Sequence, residues 1–237
     1  MEQDNFYLKI ESDAFFERWY TSINKNYDGK LRSNKSTILD HMQNNIDLYN
    51  LKVLEVGCFI GDLLFHLKKN ESCKIHGIEP STKACKLAHE KFGLVIENTN
   101  FIGSKWFSMA QENREYFDLI ILDDVLSWIS RENILQSIAV VDWLLKKGGS
   151  IFLRDFGPAF SFAYENHHQK NQNVYNFKQA NGHRSFFLDS GMYYEKFTKI
   201  TNVENLQQVK TTRADSTVWS DSLIIKCLKP LHPILKL

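Results

Sequence analysis

The sequence predicts an α/β fold built on a doubly wound, mostly parallel sheet, and three observations support this prediction. Short apolar runs alternate with segments of helical periodicity from residue 52 to residue 153. Residues 119–122 are apolar at every position, as expected of a central strand that is buried on both faces. Lys147, Gly148 and Gly149 then form a clear stop between a helical segment and a further apolar run. This order is typical of parallel strands joined by crossover helices.

The predicted elements follow one another without an obvious linker. Strands are expected at residues 52–56, 74–78, 94–97, 119–122 and 150–153, with closing strands at 199–204 and 222–228 and a further piece at 207–212. Helices are expected at 62–70, 81–92 and 129–145, the second of them capped by Ser81 and ended by Gly93. One domain is predicted over residues 1–237. It comprises a helical extension or lid at 1–50, a binding core at 51–155, an irregular polar and aromatic insertion at 156–190, and closing strands at 191–237.

Composition limits the expected partners and the cellular location. The net charge of the 237 residues is +1, so no bulk electrostatic attraction to nucleic acid or to an anionic membrane is expected. No apolar run approaches the roughly 20 residues of a membrane span, and the first residues lack the apolar core of a secretory signal. The four cysteines form no C-x-x-C pair, which argues against a metal site and fits reduced thiols in the cytoplasm.

Acidic residues and glycines meet at the ends of the first two predicted strands. In the stretch KVLEVGCFIGDLLFHL, Glu55 precedes Gly57 and Gly61, and Glu79 ends the next strand. Ligands of open parallel sheets bind beyond these carboxyl ends. The spacing is not the G-x-G-x-x-G of a dinucleotide site, and Glu55 would repel a pyrophosphate. A cationic ligand would tolerate Glu55, and Glu79 is suited to accept hydrogen bonds from the two hydroxyls of a ribose.

Four stretches in register resemble class I S-adenosylmethionine-dependent methyltransferases of the small-molecule type. They are VLEVGCFIGDLL, GIEPSTKACKLA, FDLIILDDVLSWI and LLKKGGSIFLRDF, which together cover roughly residues 50–155. The resemblance implies a Rossmann-like, seven-stranded sheet with helices on both faces, and S-adenosylmethionine as the cofactor. It implies that the cofactor is bound by Glu55, Gly57, Phe59, Gly61, Glu79, Asn100, Phe101 and Asp123.

The sequence departs from the family pattern at two positions. Phe59 replaces the middle glycine of the first motif, which predicts an ordinary backbone conformation there and an aromatic ring near the cofactor. Trp128 stands where many family members carry a histidine near the acceptor. We therefore expect the catalytic residue at another position, where His183 or Asp155 could remove a proton from an acceptor hydroxyl. Either Asp123 or Asp124 is expected to line the pocket.

The predicted function is methylation of a small polar metabolite. The polar insertion would suit a sugar, a nucleotide-sugar or a phosphorylated precursor of surface polysaccharide, bound by a monomer or homodimer with neither nucleic acid nor membrane as partner. Two alternatives remain open. One is a partner or regulatory subunit that binds S-adenosylmethionine without catalysis, and the other is a nicotinamide-dependent dehydrogenase on a similar sheet.

Overall fold

The computed structural model of this protein describes residues 3–23, 27–166, 174–202 and 218–229. Its strands are β1 (Lys52–Val56), β2 (Lys74–Ile78), β3 (Phe117–Asp123), β4 (Leu145–Phe156), β5 (Phe162–Glu165), β6 (Tyr175–Lys178), β7 (Tyr193–Asn202) and β8 (Val218–Lys226). The central sheet has the order β2-β1-β3-β4-β8-β7. Strands β1 to β4 are parallel to one another, and β8 runs antiparallel to its two neighbours, β4 and β7. The predicted mostly parallel, Rossmann-like α/β fold is confirmed.

The described part of the chain gives the central sheet six strands, not the seven that were expected. Residues 94–97 make a single parallel bridge between Ile78 and Glu97 and no continuous strand. Leu94 and Ile96 pack against the core, but Val95 is 94% exposed, so only one side of this segment packs against the protein. The Asn98 side chain donates hydrogen bonds to the carbonyl groups of Glu79 and Pro80, both at 3.0 Å, and so holds the segment beside the end of β2.

Helices cover both faces of the sheet. They are α1 (Gln3–Phe6), α2 (Ser12–Ile23), α3 (Ser33–Gln43), α4 (Asp62–Asn70), α5 (Thr82–Phe92), α6 (Lys105–Ser108), α7 (Ile134–Leu144) and α8 (Arg184–Leu188). A π-helical turn at Tyr7–Glu11 joins α1 to α2. As predicted, the Ser81 side chain caps α5 by accepting the amide hydrogen of Ala84, and Gly93 ends that helix in a left-handed conformation. None of the helices in the described ranges combines the length and apolar character that a membrane-spanning helix requires.

The alternation of side chains along the strands separates two apolar layers. Ile120 and Leu122 of β3 belong to a cluster with Val140, Val141 and Leu144 of α7. Leu119 and Ile121 of the same strand point to the other face. There they share a second cluster with Val53 of β1 and with apolar side chains of α3 and α4, namely Ile38, Met42, Leu63 and Leu64. Full burial of each large aliphatic side chain contributes about 1.5–3 kcal/mol. These two layers hold the strand ends in place.

Several predicted bounds, and the predicted character of the insertion, are wrong. Helix α7 begins at Ile134 and not at residue 129, because Leu126–Trp128 forms a 3-10 turn and the Asp4 carboxylate binds the amide group and hydroxyl of Ser130. The insertion is not wholly irregular, since β5 and β6 pair as an antiparallel hairpin within it. Strand β7 begins at Tyr193, six residues before the predicted start, and residues 207–212 lie outside the described ranges.

Candidate methyl-transfer site

A cavity of about 750 Å³ lies beyond the carboxyl ends of β1 to β4, where the resemblance predicts the cofactor. One end is formed by the loop after β1 and the end of β2, and includes Gly57 and Glu79. The opposite end reaches the exposed Lys199 of β7 and Trp219 of β8. The N-terminal helical segment forms part of the wall through Asp4, Tyr7, Glu11, Ser12 and Phe15.

The loop after β1 is sharply bent at Gly57. This residue has a φ of +68°, and a Cβ atom there would come within 2.9 Å of Val125 Cγ2. Phe59 also has a positive φ, +55°, so the expectation of an ordinary backbone conformation at Phe59 is wrong. Its amide donates a hydrogen bond of 2.8 Å to Glu79 Oε2, and its ring packs against Phe16 and Trp19. These contacts hold a conformation that is uncommon for a non-glycine residue.

Gly61 has a structural role in the same loop and does not line the cavity. It has a φ of +71° and precedes the first residue of α4. A Cβ at this position would lie 2.8 Å from Leu94 Cδ1 and 3.1 Å from Ile96 Cδ1. The close approach at Gly61 is therefore to the protein's own core, whereas the sequence predicts an approach to the ligand.

Glu79 occupies the cavity wall at the end of β2. Its two carboxylate oxygens accept the amide hydrogens of Phe59 and Ser81, each at 2.8 Å. Burial raises its pKa to about 7, although those two hydrogen bonds act in the opposite direction. Among the described residues, no lysine, arginine or histidine forms an ion pair with Glu79. A buried carboxylate of this kind is suited to accept hydrogen bonds from a ligand.

Glu55 does not reach the cavity and contacts Lys35 of α3 instead. Lys35 Nζ lies 2.6 Å from Glu55 Oε1 and 2.8 Å from Asp123 Oδ2. Burial opposes the charge on this lysine, but the two carboxylates outweigh burial and raise its pKa. Burial raises the pKa of Glu55, whereas Lys35 lowers it. Glu55 is thus part of a buried charge cluster.

Asn100 and Phe101 both line the cavity near Glu79. The Asn100 side chain donates a hydrogen bond of 3.1 Å to the carbonyl oxygen of Asp4 and accepts one of 2.8 Å from the amide of Gly103. Phe101 is 4% exposed and belongs to the core cluster that packs on α7. Together they join the N-terminal segment to the wall where an adenine ring is expected.

The end of β3 supplies two carboxylates to the cavity, and both Asp123 and Asp124 line it. Burial raises the pKa of Asp123, but Lys35 and Arg154 outweigh burial and lower it below its ordinary value. Burial raises the pKa of Asp124 to about 6. Trp128 lines the same wall in edge-to-face contact with Tyr7, their ring centroids 5.0 Å apart.

His183 and Asp155 contact each other and lie behind the cavity wall. The His183 ring nitrogen Nδ1 is hydrogen-bonded to Asp155 Oδ2, which also accepts the His183 amide hydrogen at 3.0 Å. His183 is 0% exposed and Asp155 is 2% exposed, and neither residue lines the cavity. In this conformation an acceptor in the cavity cannot touch either side chain. Their catalytic role stays a prediction.

Lys35 and Arg32 are two of the cavity-lining residues that the sequence motifs did not reveal. Arg32 forms a two-point ion pair with Asp62 at 2.7 and 2.9 Å and lies 4.9 Å from the centre of the Phe59 ring. Lys35 shares the buried face of α3 with Ile38 and Met42, at spacings of three and seven residues. A lysine on an otherwise apolar helix face was the available signal, since burial requires a charged partner.

Comparison with known proteins identifies the family and its relatives. Residues 48–213 match the family described as a methyltransferase domain. The tRNA N(3)-cytidine methyltransferase METTL2 of Danio rerio is 25% identical over 202 residues, covering 74% of this chain and 55% of that protein. The tRNA N(3)-methylcytidine methyltransferase trm140 of Schizosaccharomyces pombe is 25% identical over 174 residues, covering 66% and 56%. The chain therefore spans about half the length of these curated relatives.

Solved structures share the fold. The 1,6-didemethyltoxoflavin-N1-methyltransferase of Burkholderia thailandensis, solved with S-adenosylhomocysteine, superposes with a TM-score of 0.61. The superposition covers 96% of this chain and 92% of that one, at 11% sequence identity. At this identity the likeness concerns the fold and does not extend to the substrate.

The predictions about the acceptor are wrong. The curated relatives are named for methylation of cytidine in tRNA, which contradicts both a small polar acceptor, such as a polysaccharide precursor, and the exclusion of nucleic acid. The error has a physical reason. A net charge of +1 is a sum over the whole chain, whereas binding depends on local groups, such as the exposed Lys199 at the edge of this cavity.

Sequence, fold and cavity agree on the family. The match over residues 48–213 includes seven of the eight described strands, all but β8. The predictions of the enzyme class and of S-adenosylmethionine as cofactor are confirmed at the level of that family. This chain belongs to the methyltransferase domain family, whose members use S-adenosylmethionine.

Proposed function

We propose that this protein transfers a methyl group from S-adenosylmethionine to a ring nitrogen of a cytidine in RNA. The observation that carries this proposal is the similarity to curated relatives, 25% identical over 202 residues for the zebrafish protein, whose names specify N(3) of a tRNA cytidine. The cavity at the strand ends supports the proposal because its residues fit both the cofactor and a planar acceptor.

The residues of the first two strand ends fit the cofactor. S-adenosylmethionine, when bound, supplies a methyl group on a positively charged sulfur. The Glu79 carboxylate would accept hydrogen bonds from the ribose hydroxyls, and the bend at Gly57 lets the backbone pass close to the nucleoside. Asn100 and Phe101 would contact the adenine ring by amide hydrogen bond and by stacking.

A cytidine ring nitrogen suits the opposite end of the cavity. Its unshared electron pair attacks directly, so no general base is needed to remove a proton. This agrees with Trp128 at the position where many relatives carry a histidine, and with the complete burial of His183. The protein's task is to align the acceptor with the methyl group, and Tyr7 and Trp128 offer aromatic surface to a base taken out of its stack.

The cavity also offers a contact for the RNA backbone. Lys199 of β7 is exposed at its edge and has no ion pair with any described residue. Arg154 lies deeper and is held by two hydrogen bonds to Asp221, at 2.6 and 2.7 Å. We assign Lys199 to a phosphate of the acceptor strand, since an unpaired exposed lysine gains most from such a contact.

The proposal is tested with methyl-labelled S-adenosylmethionine and a pool of unmodified tRNA transcripts. After nuclease digestion, the labelled nucleoside should co-migrate with 3-methylcytidine in chromatography and mass spectrometry. A parallel incubation with a cell extract freed of macromolecules tests small acceptors. Calorimetry with S-adenosylhomocysteine establishes that the protein used is folded and competent to bind.

The matched control replaces the labelled cytidine by uridine in the same transcript, which should abolish incorporation. Glu79→Ala should reduce incorporation into the original transcript. Label in a small molecule with none in RNA, from protein that binds S-adenosylhomocysteine, would overturn the proposed acceptor.

A further inference from the structure

Asp124 presents a carboxylate to the acceptor end of the cavity in a closely fixed position. Its φ is +53°, and its amide donates a hydrogen bond of 2.9 Å to the carbonyl oxygen of Arg154. Oδ1 accepts the hydroxyl hydrogen of Ser127 at 3.0 Å. The side chain retains 30% of its exposure, and no described residue donates a hydrogen bond to Oδ2. One carboxylate oxygen is therefore anchored, and the other remains open to a ligand.

The cations that face Asp124 do not outweigh the burial of its carboxylate. Lys178 Nζ is 3.9 Å from Oδ1, and its own side chain is only 5% exposed, over the ring of Phe156. Burial raises the pKa of Asp124 to about 6; Lys178 lowers it, Asp155 and Asp123 raise it, and the Ser127 hydroxyl lowers it. Arg154, Tyr164 and Tyr7 are the other titratable groups that interact with it electrostatically. At pH 8 the group is ionised.

Aromatic rings stand beside this carboxylate. Tyr7 and Trp128 line the cavity next to Asp124, and Trp219 lines it from β8, its ring centroid 3.8 Å from that of Phe156. Aromatic faces together with a carboxylate attract a planar cation by ring quadrupole and by charge. A neutral planar ring would gain less from the same surroundings.

We propose that Asp124 is a catalytic residue, whose carboxylate stabilises the positive charge that methylation creates on the acceptor ring. This inference rests on the proposed function and deepens it, because it restricts the acceptor to a ring that becomes cationic. In the step, the electron pair of the ring nitrogen forms the new N–C bond. The S–C bond breaks and its electron pair stays on sulfur, so the positive charge passes from sulfur to the ring and no proton is lost.

Stabilisation by Asp124 is larger in the transition state than before it. The charge moves from the sulfur of the cofactor towards the acceptor end of the cavity, where Asp124 lies. Only such a differential interaction raises the rate of the chemical step. A carboxylate fixed in advance by Ser127 and by the backbone of Arg154 needs no reorganisation when the charge arrives.

The test compares Asp124→Asn with the wild-type protein. Asparagine tolerates a positive φ as aspartate does, so the backbone is kept while the charge is removed. At pH 8 the single-turnover rate of methyl transfer to the RNA should fall about 100-fold, while the affinity for S-adenosylhomocysteine stays within about threefold. Asp189→Asn, at an exposed position after α8, is the matched control and should change neither quantity.

Two further readouts separate a catalytic role from a structural one. With S-adenosylmethionine saturating at every pH, so that the ionisation of Glu79 does not limit binding, the wild-type rate should rise with pH through a single ionisation close to 6, and this step should be absent from Asp124→Asn. With S-adenosylhomocysteine present, the wild-type protein should bind 3-methylcytidine at pH 7, where it is a cation, at least tenfold more tightly than cytidine. Asp124→Asn should lose this preference.

The outcomes distinguish the two proposals. A variant rate within threefold of the wild-type rate, or an unchanged preference for the cation, would overturn the role of Asp124. A third outcome separates them: the wild-type protein prefers the cation, Asp124→Asn loses this preference, and the wild-type protein labels no RNA. This result would support the charge site and refute the proposed acceptor.

Discussion

Two pairs of carboxylates at the strand ends differ in the partners that they have. Glu55 and Asp123 share the buried ammonium group of Lys35, at 2.6 and 2.8 Å. Glu79 and Asp124 line the cavity, as Asp123 does, but neither has a cation as close as Lys35, and burial raises their pKa values to about 7 and about 6. All four were visible in the sequence as acids after apolar runs. Only their surroundings distinguish the two carboxylates that are paired with Lys35 from the two that are more open to a ligand.

The difference shows that an acidic strand end is not by itself a ligand contact. A buried carboxylate requires compensation, and it obtains this either from the protein or from what the protein binds. At Glu55 the compensation is built in through α3. At Glu79 two backbone amides supply part of it, and the hydroxyls of a nucleoside would supply more.

The largest effect is expected from Lys35→Met, which removes the cation from the buried pair. Glu55, at 0% exposure, would be left without a counter-charge, and the free energy of unfolding should fall by about 3–5 kcal/mol. Urea denaturation measures the loss. The double variant Lys35→Met, Glu55→Gln should recover part of it, and a loss below about 1 kcal/mol would show that Lys35 does not compensate the buried charge of Glu55.

A smaller effect is expected from Glu79→Ala, measured as affinity for S-adenosylhomocysteine. The loss of charge-assisted hydrogen bonds should weaken binding by about 1–3 kcal/mol. Glu90→Ala on the exposed side of α5 is the control, because Glu90 only approaches Lys86 at 3.9 Å. An affinity that does not respond to the loss of Glu79 would remove this residue from the site.

The pH dependence of binding should follow the ionisation of Glu79. Burial favours its neutral form, with a pKa of about 7 in the ligand-free protein, and ribose hydroxyls donate to its charged form. Affinity for S-adenosylhomocysteine should therefore fall about tenfold from pH 8 to pH 6. Calorimetry at several pH values tests this, and Glu79→Gln should give a flat profile. A tenfold fall that persists in that variant would assign the ionisation to another group.

The smallest effect is expected at an ion pair near the surface, which sharpens the contrast with Lys35. Lys146 Nζ lies 2.5 Å from Asp118 Oδ1, but their side chains are 37% and 27% exposed. Because solvent screens such a pair, Lys146→Ala should lower the free energy of unfolding by less than about 1 kcal/mol. A change as large as that of Lys35→Met would mean that exposure does not separate the two kinds of pair.

The sheet and the cofactor end were predictable because their signals are local. Periodicity located β1 and β2 to the residue, and Ser81 and Gly93 marked the ends of α5 as predicted. The Glu55 contact was not predictable by motif, since its partner Lys35 lies 20 residues away on another helix. The role of Gly61 depends on Leu94, which is distant in sequence and meets it only in the folded core. The predicted single domain and the predicted monomer or homodimer stay predictions.

The amino-acid sequence alone determined the α/β class, the positions of β1 and β2, the family and its cofactor, because these follow from short-range patterns of apolar residues, glycines and acids. Only the tertiary structure decided which acids face the cavity, that His183 lies behind its wall, and that the N-terminal segment completes it. The physical reason is that burial and counter-charge are properties of a place in the fold. They depend on groups such as Lys35 and Lys178, which chain folding alone brings beside Glu55 and Asp124.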